Sequence, residues 1–161
     1  MTTTTLVEKL EGRPLDAAVA EEVCGLHVIA LDWPCGHDSE CGYYQAAFTR
    51  EDGAGFPTEY EGTGPVYDDH GRPLPVPFYS TSLDACAAVI DHLHQTGWAV
   101  LAYRPPACHS KDPNDPVCWS VSLGVAGEDG MRMPMIRRSL AEAVCVAALA
   151  AVRGGKEQAG E

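Results

Sequence analysis

The chain has 161 residues, 45% of them apolar, which suits one domain whose core needs no covalent staples. A formal net charge of -12 excludes a groove that tracks nucleic-acid phosphates, because such binding rests on clustered Lys and Arg. No stretch approaches the roughly 20 apolar residues of a membrane-crossing helix, and seven cysteines without regular spacing fit free thiols better than a disulfide framework, so an intracellular protein is expected.

Residues 1–12 read as a flexible tail, followed by a single domain over 13–153. "RPLDAAVAEEVCG" places Pro14 at a first helical position and Gly25 just past the end, with Leu15, Val19 and Val23 along one face, which predicts a short amphipathic helix. "LHVIALDW" and "GYYQAAFT" read as strands joined by a hairpin connection. From about 33 to 75 the chain is an acidic, loop-rich insertion. Nine acids between Asp32 and Asp69 face Arg50 alone, and a turn is expected at His70-Gly71. This acidic face either aids solubility or acts as a mimic of nucleic acid or a lure for a basic partner.

"STSLDACAAVIDHLHQTG" predicts a second helix, with a hydroxyl N-cap, Leu83, Cys86, Ile90 and Leu93 on one stripe, and a stop at Gly97. "WAVLAY" reads as a strand. In "VCWSVSLGV", Val117, Trp119, Val121, Leu123 and Val125 form a buried face, while Cys118, Ser120, Ser122 and Gly124 form a more polar one. The Pro-rich loop between these strands makes them a hairpin. "SLAEAVCVAALAAVRGG" predicts an Ala-rich helix with a capping box of Ser139 and Glu142, ended by Gly154, and residues 154–161 read as a disordered tail. The sum is an α+β domain with helices around a mostly antiparallel sheet.

The order of "PLDAAVAEEVCG", "PFYSTSLDACAAVIDHL", "GWAV", "WSVSL" and "SLAEAVCVAALAAV" resembles the phage ABA sandwich domain family of small phage and prophage proteins. The resemblance covers about 13–25 and 75–152. It implies a three-layer arrangement of helices around the sheet, phage or prophage origin and residence in the host cytoplasm. The Tyr79, Ser80, Thr81 run matches the family's most recognisable block. Ser82 stands where the family carries an acid and Ala87 where it often carries tryptophan. The family brings no established activity and no catalytic residues.

Two groups of residues are candidate sites. Cys35, His37 and Cys41 in "CGHDSEC" offer three zinc ligands, with Cys24, His27, Cys108 or His109 to complete a tetrahedron. The five-residue gap between the cysteines is atypical of zinc loops, and a Cys35 to Cys41 disulfide or free thiols in a polar turn are the alternatives. The second group is the basic cluster Arg132, Arg137 and Arg138 leading into the helix start at Ser139. If Ser80 and Thr81 lie beside it, two helix N-termini would face one anion. The ordinary reading is that these arginines offset the acidic face.

No P-loop, dinucleotide-binding glycine pattern or cysteine-protease signature is present, and His92 and His94 are two apart on a helix, too far around it to share a metal. A non-enzymatic binding protein is therefore expected, engaging a host or phage protein or a small anionic ligand. A metal-stabilised structural or assembly protein, homo-oligomeric or not, is the alternative, and a thiol- or metal-dependent hydrolase is the remaining one.

Overall fold

The computed structural model describes residues 9–30, 42–48, 63–105, 118–125, 132 and 134–158. Among these residues the chain is a mixed α+β fold of three helices and two antiparallel sheets, each of three strands. The helix α1 spans Gly12–Ala18 and passes directly into a π-helical turn over Val19–Val23. Leu15, Val19 and Val23 are buried, as their spacing of four predicts. On an α-helix that spacing drifts by about 40° per step. The wider π turn, in which Cys24 N donates to Val19 O at 3.0 Å, turns the stripe back toward the core. The chain leaves through Gly25 at φ +68°, a conformation that an L side chain rarely adopts.

Strand β1 (His27–Ala30) pairs antiparallel with β2 (Tyr43–Phe48), from His27 opposite Ala46 to Ala30 opposite Tyr43. The second half of β2 pairs with β3 (Thr63–Pro65). Beyond β3 the chain reverses at Asp68–Arg72, where the Asp68 carboxylate accepts the N–H groups of His70 and Arg72, each at 2.9 Å. Gly71 takes φ +72° in this turn, which falls at His70-Gly71 as the sequence predicts. The returning segment runs beside the first half of β2, with Gln45 N donating to Leu74 O at 2.9 Å and Val76 N to Tyr43 O at 3.1 Å.

Helix α2 (Leu83–Gln95) is capped by Ser82, whose hydroxyl accepts Ala85 N at 3.3 Å, and Gly97 follows it at φ +87°. Cys86, Val89 and Leu93 are buried. Leu83, expected on the buried stripe, is 63% exposed. A helical side chain leans over the turn before its own Cα, and the first residue has no such turn to cover.

The second sheet has β5 (Trp119–Val125) between β4 (Trp98–Tyr103) and β6 (Met135–Arg137). The strands thus divide between two separately hydrogen-bonded sheets, where the sequence reading had one. Both faces of β5 are covered. Its Ser120 and Ser122, expected on the more polar side, are buried because Leu101 lies opposite Ser122, and Tyr103 and Ile136 lie opposite Ser120. Helix α3 (Leu140–Gln158) packs on β5, β6 and α2, and its residues 143–149 are buried without interruption, as a helix that is apolar all round requires. Ser139 accepts Glu142 N at 3.1 Å, one half of the expected capping box. The Glu142 carboxylate pairs instead with Arg137 at 3.5 Å.

Gly154 does not end α3. A Cβ at that position would stand 2.8 Å from Nη1 of Arg132, so the glycine permits close approach of the guanidinium, and the helix runs on to Gln158. Among the described residues no helix is long and apolar enough to cross a membrane.

Candidate functional site

The polar centre of the described structure lies where α1 meets the segment between the sheet and α2. Arg13 and Asp16 sit one turn apart on α1 and are both buried, at 9% and 1% exposure. A buried charge is costly unless it is paired and hydrogen-bonded, and here both partners meet that condition. Arg13 Nη1 donates to Asp16 Oδ2 at 2.9 Å and to Pro77 O at 3.3 Å, while Nη2 donates to Val76 O at 2.7 Å and Tyr43 O at 3.3 Å. Its guanidinium lies over the Phe78 ring, 4.1 Å from the centroid. The second oxygen of Asp16 accepts Ser80 N at 2.7 Å. One ion pair therefore ties α1 to β2 and to the chain leading into α2.

A cleft of about 440 Å³ opens at this junction, lined by Gly12, Pro14, Gly42, Tyr43, Phe78 and Thr81 as well as by the ion pair. Its size falls within the roughly 300–1,000 Å³ usual for small-molecule sites. Phe78 is 36% exposed and Thr81 is exposed, so the lining offers an aromatic residue and a hydroxyl. Asp16 is a poor general base because both of its oxygens already accept hydrogen bonds.

The arginine-flanked helix start is partly assembled. Ser139 Oγ donates to Ser80 O at 3.5 Å, so the starts of α2 and α3 stand side by side. Arg137 is engaged with Glu142 and with its neighbour's carbonyl, Ile136 O, at 2.7 Å, and Arg138 is exposed. Arg132 does not join them. It stacks over Trp98 at 4.9 Å beside Gly154, fifteen residues and roughly 22 Å along α3 from Ser139. Carboxylates occupy the same region: Asp84 and Glu142 in the two first turns, and Asp16 on Ser80. Ser80 Oγ is buried without a hydrogen-bond partner among the described residues.

Of the candidate metal ligands, Cys35, His37 and Cys41 lie outside the described residues, as do Cys108 and His109. Cys24 is half-buried and accepts a hydrogen bond from the Tyr79 hydroxyl, and burial pushes its thiol pKa up. His27 is exposed on β1. Among the described residues no three His, Cys, Asp or Glu side chains converge in a way that suits a metal ion.

Sequence reasoning missed Arg13 and Asp16. The spacing of three was visible, but such pairs on helices are ordinarily solvated, and burial is set by β2 and Pro77, distant in the chain. In comparisons with known proteins, no family model, curated protein or solved structure matches this chain.

Proposed function

We propose that this chain is an accessory protein of phage or prophage origin that acts by binding, without turnover, and that it engages a host protein through the cleft beside Arg13. The order of its sequence blocks supports the origin and, with it, the layered sandwich arrangement of the ABA family. The observation that carries the binding site is the cleft itself. Its charged pair is neutralised internally, so what remains for a partner is shape, the exposed Phe78, Tyr43, Pro14 and the Thr81 hydroxyl. An aromatic anchor in a preformed depression is the usual energetic centre of a protein contact.

Capture of a small anion at the joined helix starts is the weaker reading. It is favoured by the contact between Ser139 and Ser80, but Asp16, Asp84 and Glu142 already place three carboxylates there.

The test is photo-crosslinking in infected host cells, with a benzophenone amino acid at position 81 and a control at the exposed Ile136. One host protein should be captured from position 81 and not from 136. Phe78→Ala, checked for folding by circular dichroism, should reduce that capture at least tenfold. Capture equal from both positions, or unchanged in Phe78→Ala, overturns the assignment of the cleft.

A further inference from the structure

Cys86 on α2 and Cys145 on α3 meet in the seam between the two helices, 1% and 0% exposed. The Cys86 thiol reaches Ala141 O, one turn before Cys145 on α3, at 3.9 Å, and the two sulfurs lie close enough for each to shift the other's pKa. Both are free thiols. Apolar packing alone is met elsewhere in this seam by alanine, valine and leucine, none of which can form a bond across it. We propose that Cys86 and Cys145 are a redox pair, oxidised by a peroxide to a disulfide that locks α2 to α3 and returned to two thiols by a dithiol reductant.

The chemistry balances with the peroxide as sole oxidant. The Cys86 thiolate attacks one peroxide oxygen, the O–O bond breaks, and water leaves as the sulfur becomes a sulfenic acid. Cys145 then attacks that sulfur, forming the S–S bond. The hydroxide expelled takes the Cys145 proton and leaves as a second water. Two thiols and one hydrogen peroxide give one disulfide and two waters.

Cys86 is suited to attack first. The contact with Cys145 draws its thiol below the usual pKa, while the same contact, together with burial, pushes Cys145 up. Burial makes the reaction depend on transient opening of the seam between α2 and α3, which sets its rate and shields the pair from casual oxidation. Reversible disulfides of this kind are the sort found in reducing compartments.

The experiment treats the full chain with hydrogen peroxide, quenches it, and maps disulfides by mass spectrometry of a non-reducing digest alongside a thermal melt. The expected result is a Cys86–Cys145 peptide, a mass decrease of about 2 Da for that pair relative to two thiols, and a Tm raised on the order of 10 °C, since the bond closes a long loop. Dithiothreitol should reverse all three. Cys24→Ser should leave the linked peptide in place, and Cys86→Ala should abolish it. Oxidation of either cysteine to the sulfinic acid without the linked peptide overturns the proposal, as does a link from Cys24 to Cys145. The map of the unsubstituted chain decides the matter even if the variants do not fold.

Discussion

Where α3 meets β5 and α2, contact is made by small and branched apolar side chains, with Ala143, Val144, Val146, Ala148 and Leu149 all at 0% exposure. Where α1 meets β2 and the chain before α2, it also depends on one arginine and one aspartate, which supply hydrogen bonds to three carbonyls and one backbone N–H. The first joint is made by area and the second by direction. Apolar burial contributes roughly 25 cal/mol per Å² wherever it occurs, so the α3 joint is spread over many residues, each separately dispensable in part. The Arg13–Asp16 joint is concentrated, because removing either partner leaves the other buried and uncompensated.

Breaking the concentrated joint should have the largest effect. Asp16→Ala strands the Arg13 guanidinium and leaves Ser80 N without its acceptor. A loss of about 3–5 kcal/mol is expected, seen as a fall in Tm on the order of 10 °C. The double substitution Arg13→Met with Asp16→Leu, which replaces the pair by apolar groups of similar volume, should recover more than half of that loss. A fall of only about 1 °C in Asp16→Ala would show that the ion pair does not hold this joint.

Overpacking the distributed joint should cost less. Ala148 faces the core from α3 with no exposed surface, and Ala148→Leu adds three carbons to a filled space. A destabilisation of about 1–3 kcal/mol in urea titration is expected, with the m value unchanged, because the surrounding apolar side chains share the strain. A larger loss than that of Asp16→Ala would reverse the contrast drawn between the two joints.

The same contrast explains what the sequence made legible. The apolar joint follows local periodicity: Leu15, Val19 and Val23 at steps of four, Cys86 and Leu93 on one stripe, and the uninterrupted run of α3 all announce burial. The Ser82 cap and the positive φ of Gly25 and Gly97 were legible for a similar reason, since each depends on its immediate neighbours. The polar joint was not, because the burial of Arg13 is created by carbonyls thirty and more residues away. Gly154 has the sequence signature of a helix stop, but its place within α3 is set by Arg132, which lies across it and comes from a distant part of the chain. The same contact separates Arg132 from the anion group into which sequence proximity had placed it. Ser120 and Ser122 read only as the more polar side of the strand, because strand alternation carries no information about what the flanking strands place beside the second face.

A second arginine–carboxylate pair has the better geometry and the smaller expected effect. Arg153 on α3 holds Glu22 of the π turn through Nε at 3.2 and 3.0 Å and through Nη2 at 2.6 Å, a forked arrangement that raises the Arg153 pKa. The two side chains are 22% and 27% exposed, whereas Arg13 and Asp16 are 9% and 1% exposed. Water can re-solvate whichever partner remains after substitution, so the penalty that dominates at Asp16 is largely absent here. Arg153→Gln should therefore cost no more than about 1 kcal/mol, and half a molar sodium chloride should shrink the difference from the unsubstituted chain. The loss in Asp16→Ala should persist in the same salt, since ions do not screen a pair from which solvent is excluded. A salt-insensitive loss at Arg153 as large as that at Asp16 would mean that geometry, and not burial, governs the strength of both pairs.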